Sequence, residues 1–119
     1  MKKVVLIGYP ACSTCKKAIR YIKDHEVDVD FRHIVEHTPD REELRMLWKK
    51  SGLPLKKFFN TSGNLYKEMK LKDSLGSMSE EEQLQLLSEH GMLIKRPIVV
   101  DDEMVLVGFN EKNYDNIWA

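Results

Sequence analysis

The segment KVVLIGYPACSTCKKAIRYI, residues 3–22, decides how the rest of the sequence is interpreted. Its first five residues are mostly β-branched or apolar, which is typical of a buried strand, and the Gly-Tyr-Pro that follows ends this strand. From Cys15 onward, apolar residues recur at helical spacing, with Ser13 or Thr14 as the expected N-cap. The segment therefore places a Cys-x-x-Cys pair, which begins at Cys12, between a strand and a helix.

Strand and helix patterns continue along the chain in an order that indicates the fold class. Asp40 and Ser79 each precede a glutamate by three residues, and this capping-box pattern starts helices. The elements predicted after the first helix are a strand over 27–35, helices between about 40 and 90, strands over 97–100 and 104–107, and a helix over 110–118. This order predicts an α/β fold, namely a thioredoxin-like βαβ…ββα mixed sheet with a helical insertion between its halves.

Length and charge limit the classes of function. The 119 residues suit one domain over 1–119, and we place the helical insertion at about 39–91. Nineteen basic and nineteen acidic residues give no net charge, which disfavours direct binding to nucleic acid or to an anionic membrane. No apolar stretch is long enough to span a bilayer. We therefore expect a cytoplasmic protein, and we expect it to be a monomer.

The cysteine pair has the arrangement that thiol-redox chemistry needs. A free thiol has a pKa of roughly 8.5, whereas the reactive species is the thiolate. Helix N-termini stabilise anions, so the amides of Ser13, Thr14 and Cys15 are expected to stabilise a Cys12 thiolate. We expect Cys12 to be the attacking thiol, and the more buried Cys15 to be the resolving thiol. Ser13 and Thr14 are candidate substrate-binding residues, because the same amides suit an oxyanion or a glutathione carboxylate.

Two other interpretations of the cysteine pair remain open at this point. The thiols could form half of a zinc site with His33 and His37, although the segment between them is longer than in the usual zinc finger. They could also be incidental buried residues. Redox chemistry is favoured because a two-residue spacing in a cytosolic protein is most often catalytic or redox-sensing, so no resident metal or cofactor is expected.

A second candidate site feature is Arg96-Pro97, at the entry to the third predicted strand. In thioredoxin-type folds a cis-proline at this place faces the cysteine motif and shapes the substrate groove. Arg96 would then point toward Cys12 and stabilise a thiolate or hold an oxyanion. On the residues alone, a solvated loop arginine beside a trans proline is the alternative.

Three segments together resemble the ArsC/Spx family: YPACSTCKKA at 9–18, KRPIVV at 95–100 and VGFNE at 107–111. The resemblance covers essentially the whole chain and implies a thioredoxin-like domain with a helical insertion. In arsenate reductases of this family, one cysteine attacks arsenate, three arginines hold it, and glutathione and glutaredoxin complete the cycle. Arg96 matches one arginine, whereas Asn60, a candidate substrate-binding residue, stands near the second and Gly108 near the third. The resemblance thus implies a thiol-linked reductase that lacks two of the arsenate-binding arginines.

The same resemblance implies a second function and a set of partners. Regulators of the Spx type bind the C-terminal domain of the RNA polymerase α-subunit, and their Cys-x-x-Cys acts as a disulfide switch. The two hypotheses are therefore a reductase that uses glutathione, glutaredoxin or a thioredoxin-like reductant, and a redox-switched partner of RNA polymerase. Both hypotheses assign the chemistry to Cys12 and Cys15.

Overall fold

The chain divides into two units in a computed structural model that describes residues 2–118. The first unit contains the described residues up to His33 and from Arg96 onward, and the second is Ile34–Lys95. The two end positions of the predicted 1–119 domain lie outside the described residues. The strands and α-helices are, in chain order, β1 (Lys3–Gly8), α1 (Ser13–Asp24), β2 (Asp28–His33), α2 (Arg41–Ser51), α3 (Asn64–Glu68), α4 (Leu71–Ser74), α5 (Glu80–Glu89), β3 (Ile98–Val100), β4 (Val105–Val107) and α6 (Glu111–Trp118).

The first unit is built on a four-stranded mixed sheet with the order β2-β1-β3-β4. β1 runs parallel to β2, with Leu6 opposite Phe31, and antiparallel to β3, with Leu6 opposite Val99. β3 and β4 form an antiparallel hairpin. The parallel pair joined by a helix and the hairpin followed by a helix confirm the predicted thioredoxin-like fold class, and β1 has a neighbouring strand on each side.

The apolar faces that the sequence pattern marked as buried form the core of the first unit. β1 and α1 form the centre of this core. β1 lies between two other strands of the sheet, and α1 packs one apolar face toward the sheet. The buried residues of this core are Val4, Leu6, Ala18, Ile22, Val27, Val99 and Tyr114. This packing fixes the β1–α1 connection, which carries the cysteine pair, on a rigid base.

The second unit contains the helical insertion. α2 packs against α5, and the buried leucines of these helices are Leu44, Leu47, Leu84 and Leu87. Asp40 caps α2 through the Glu43 amide, and the capping box of Ser79 and Glu82 is confirmed at the start of α5. Short 3₁₀ turns lie at Leu55–Phe58, Leu75–Ser77 and Gly91–Leu93. No helix among residues 2–118 has both the length and the apolar character required to cross a bilayer.

Candidate functional site

Cys12 is the N-cap residue of α1. Its backbone is extended, with φ −80° and ψ 115°, and its Sγ accepts a hydrogen bond from the Cys15 amide at 3.3 Å. Its carbonyl oxygen accepts the Lys16 N–H at 3.1 Å, and its own N–H donates to the Tyr9 carbonyl at 3.0 Å. The thiol sulfur thus takes the position of a capping oxygen, where the unpaired amides of the first turn favour negative charge.

The predicted N-cap was wrong, because α1 begins at Ser13 and not at Cys15. Ser13 and Thr14 therefore lie inside the first helical turn and do not cap it. The backbone amide that donates to the Cys12 Sγ is that of Cys15. Cysteine is not among the usual N-cap residues, so the local pattern pointed to the neighbouring hydroxyl side chains instead.

The surroundings of Cys12 favour its ionised form. Partial burial raises the pKa of the thiol, but hydrogen bonds from the Cys15 side chain and amide, and then from Arg96, act in the opposite direction. The positive charge of Arg96 adds to them, and the balance lowers the pKa of Cys12 below its ordinary value of 9.0. Cys12 is half-buried, so its thiolate stays accessible to a reactant.

Cys15 is the protonated member of the pair. Its residue is 1% exposed, and burial is the main cause that raises the pKa of its thiol to about 12. The hydrogen bond with Cys12 acts in the same direction, which makes the Cys15 S–H the donor and the Cys12 sulfur the acceptor. Both thiols are free in the structure. The two cysteines therefore differ: Cys12 is a half-buried thiol with a lowered pKa, and Cys15 is a buried thiol with a raised one.

Gly8, the last residue of β1, makes room for Cys15. A Cβ atom at this position would lie 2.9 Å from the Cys15 Sγ, which is closer than such atoms approach in proteins. Only a residue without a side chain lets the end of the strand pass this close to the sulfur. The sequence predicts that the strand ends at Gly8, and the structure shows that Gly8 also makes room for the buried thiol of Cys15.

Arg96 lies beside Cys12, as expected. The Arg96-Pro97 peptide bond is cis, which confirms that prediction. The guanidinium carbon of Arg96 lies 5.8 Å from the centre of the Tyr9 ring, within the range of a cation–π contact. The side chain interacts with Cys12, while its Nε–H is buried without an acceptor among the described residues. The Pro97 carbonyl accepts the Gly108 N–H at 2.7 Å, which ties this segment to β4.

Tyr9 is the residue that sequence reasoning missed. Its carbonyl accepts the Cys12 N–H, its ring lies under Arg96, and the edge of this ring contacts His33 at a centroid distance of 5.4 Å. Tyr9 therefore contacts both Cys12 and the cation beside it. The available signal was an aromatic residue directly before Pro10 in the connection that leads to the cysteines.

Asn60 and the histidines of the zinc alternative were the other candidates. Asn60 belongs to the second unit, where its N–H donates to the Leu93 carbonyl at 2.7 Å and its own carbonyl accepts the Gly63 N–H at 3.0 Å. His33 belongs to the first unit and His37 to the second. Across residues 2–118, no group of three or more His, Cys, Asp or Glu side chains is arranged to hold a metal ion.

Comparison with known proteins places these features in a family context. The sequence pattern of the ArsC family matches residues 7–117. The chain is 52% identical to the uncharacterized protein YusI of Bacillus subtilis, over 93% of this chain and 94% of that protein. It is 27% identical to the global transcriptional regulator Spx of the same organism, over 91% of this chain and 81% of the regulator.

Solved structures extend the similarity to three dimensions. The crystal structure of an ArsC family related protein from Bacteroides fragilis superposes with a TM-score of 0.92 at 47% sequence identity. The match covers 98% of this chain and 97% of that one. The two proteins therefore share their fold over nearly the whole chain.

Proposed function

Because this chain belongs to the ArsC family, we propose that it is a thiol–disulfide redox protein with Cys12 as nucleophile and Cys15 as resolving thiol. The observation that carries the proposal is the hydrogen bond from the Cys15 amide to the Cys12 Sγ at the start of α1. This contact, together with Arg96, lowers the pKa of Cys12, while burial raises that of Cys15. Cys12 thus attacks the substrate in the first step, and Cys15 keeps its proton until the second step.

The proposed reaction transfers two electrons from the protein to a substrate disulfide. The Cys12 thiolate attacks one sulfur of the substrate, which forms a mixed disulfide and releases the other sulfur as a thiolate that takes up a proton. The Cys15 thiol then loses its proton and attacks the Cys12 sulfur. The products are a Cys12–Cys15 disulfide and the second substrate thiol, so the substrate is reduced and the protein oxidised.

Other residues have supporting roles in this proposal. Arg96 stabilises the thiolate and, by its charge, an anionic substrate group. The first-turn amides of Ser13 and Thr14 bind such a group, and Pro97 shapes the groove beside Cys12. Glutathione or another thiol restores the reduced pair, through a glutaredoxin or a thioredoxin-like reductant. We assign a disulfide rather than arsenate as substrate, because Asn60 and Gly108 stand near the places of two arginines that arsenate reductases use.

A disulfide-exchange assay tests this function. The wild-type chain is supplied with a small mixed disulfide of glutathione, with excess glutathione and glutathione reductase, and NADPH consumption is followed. We expect turnover by the wild type and none above background by Cys12→Ser. A Ser13→Ala variant, which keeps both thiols, is expected to retain most of the turnover. Unchanged turnover in Cys12→Ser would refute the mechanism.

A second candidate function is a redox-switched transcriptional regulator. The observation that favours it is the similarity to the Spx regulator over 91% of this chain. The test is capture by the purified C-terminal domain of the RNA polymerase α-subunit, with the Cys12–Cys15 pair reduced or oxidised. Binding in one redox state supports this function, and absence of binding in both states removes it.

A further inference from the structure

The second unit contains three cavities that join into a groove. Their volumes are about 430, 220 and 270 Å³. Lys56 lines the first and second cavities, Tyr66 and Lys72 line the second and third, and Thr61 lines the first and third. Because each cavity shares wall residues with the other two, we treat the three as one groove. We call it the lysine groove.

The groove is strongly basic although the chain as a whole is neutral. Its lining includes one carboxylate, Asp73, and six lysines. These lysines are Lys56, Lys57, Lys67, Lys70, Lys72 and Lys95. Within residues 2–118, no ion pair joins any of the six ammonium groups to a carboxylate. The groove thus has five more lysines than carboxylates, and this excess of positive charge favours an anionic ligand.

The walls between the lysines are partly apolar. Pro54 and Leu75 contribute aliphatic surface, and the rings of Phe59 and Tyr66 form part of the walls while remaining 2% and 5% exposed. Separate pockets with apolar walls and cationic rims fit a peptide that carries both carboxylates and apolar side chains. Single-stranded nucleic acid is disfavoured, because proteins that bind it offer exposed aromatic faces for base stacking, and these two rings are buried.

The backbone conformation of Lys70 is a second observation that favours a role for its ammonium group in ligand binding. Lys70 has φ 53° and ψ 38°, the left-handed conformation that glycine or asparagine adopts more readily. A lysine is less stable in this conformation than a glycine, because its Cβ atom comes close to the following carbonyl oxygen. A role of the Lys70 side chain in ligand binding explains why this position has a lysine, although glycine or asparagine would make the protein more stable.

We propose that the lysine groove binds an acidic, partly apolar segment of another protein. The six unpaired ammonium groups would contact the carboxylates of the segment, and the three pockets would take its apolar side chains. The groove contains none of the residues assigned to thiol chemistry. It therefore constitutes a separate interaction surface, and its test is independent of the redox activity.

The test uses the full chain, labelled with ¹⁵N, and a short synthetic peptide of glutamate and leucine. A matched peptide has glutamine in place of glutamate, and an oligothymidylate of similar length is the nucleic-acid arm. We expect the glutamate peptide to shift the amide signals of Thr61, Tyr66 and Gly76 in a saturable manner at low ionic strength. The glutamine peptide and the oligonucleotide are expected to bind at least about tenfold more weakly, because the contacts are mainly to carboxylates.

Variants separate the groove from non-specific charge effects. Lys56→Glu/Lys72→Glu is expected to weaken peptide binding by about tenfold or more, whereas Lys2→Glu/Lys112→Glu, with the same net charge, leaves it nearly unchanged. Lys70→Asn is expected to raise the melting temperature and still weaken binding. Equal binding of both peptides, tighter binding of the oligonucleotide, or equal effects of the two double variants would overturn the proposal.

Discussion

The Cys15 amide donates to the Cys12 Sγ at 3.3 Å, and the Cys15 side chain is buried behind it. One residue thus supplies the backbone donor that stabilises the outer sulfur and the thiol assigned to attack that sulfur later. Since Cys15 makes both contacts from the first turn of α1, the distance between the two sulfurs is fixed by the helix rather than by a flexible loop. The cysteine pair acts as one structural unit.

Replacement of Arg96 tests the contribution of the cation to the thiolate. Arg96→Gln removes the positive charge beside Cys12, so the pKa of Cys12 is expected to rise toward its ordinary value. The pH at which Cys12 reacts with iodoacetamide at half its maximal rate should rise accordingly. Arg96→Lys keeps the charge but loses the planar fork, and its midpoint is expected to lie between those of wild type and Arg96→Gln. Identical midpoints in all three proteins would show that Arg96 has no such role.

Removal of the resolving thiol should trap the intermediate. Cys15→Ser retains the Cys12 nucleophile but cannot form the internal disulfide, so a mixed disulfide with the substrate thiol is expected to accumulate at Cys12. Mass spectrometry of the intact protein after reaction with oxidised glutathione measures this adduct. The wild type, treated in the same way, is expected to end mainly as the Cys12–Cys15 disulfide. An equally persistent adduct in the wild type would argue against a resolving role for Cys15.

The two thiols predict opposite pH dependences of stability under reducing conditions. Folding lowers the pKa of Cys12, so its contribution to the free energy of unfolding rises with pH up to about 9.0 and is lost as pH falls through the lowered value. Folding raises the pKa of Cys15 to about 12, so its contribution decreases as pH rises above 9.0. Denaturant titrations across this range measure the free energy of unfolding.

The single serine variants separate these two contributions. Cys12→Ser is expected to lose the rise below pH 9.0, and Cys15→Ser is expected to lose the decrease above it. Parallel stability curves for the wild type and both variants would contradict the assigned protonation states.

Gly8→Ala tests the close approach of β1 to the buried sulfur. The added methyl group would lie 2.9 Å from the Cys15 Sγ, so we expect a loss of about 1–3 kcal/mol in the free energy of unfolding from overpacking. Gly76→Ala is the matched control, because nothing lies within 4 Å of a Cβ atom there. That control is expected to change stability by less than about 0.5 kcal/mol. Equal effects of the two substitutions in urea denaturation would remove the steric argument.

Local patterns predicted most of the fold. The apolar run of β1, the N-cap at Asp40 and the capping box at Ser79 depend on neighbouring residues alone, and the structure confirms them. The second strand was predicted too long, over 27–35, whereas β2 ends at His33. From Ile34 onward the chain belongs to the second unit, and alternation of apolar and polar residues does not reveal that boundary.

The candidate site was predicted less completely, because its geometry depends on contacts distant in sequence. Cys12, Cys15 and Arg96 were identified from motif spacing and lie together. The sequence did not predict that the Cys12 thiol caps α1, because cysteine is not an ordinary N-cap residue. It also did not predict the contact of the Tyr9 ring with Arg96, because these residues lie far apart in the sequence. Whether Asn60 binds substrate stays a prediction.

The ionisation of Cys12 tests the central claim most directly. The measurement is the absorbance of the thiolate near 240 nm as a function of pH in the wild type, with Cys12→Ser as the blank, together with the rate of Cys12 alkylation in the wild type. The account predicts that the pKa of Cys12 in the wild type lies below the ordinary cysteine value of 9.0 and that Cys12 reacts faster than a free thiol at neutral pH. A Cys12 that stays protonated until pH 9.0 or above, and that alkylates no faster than a free thiol, would contradict it.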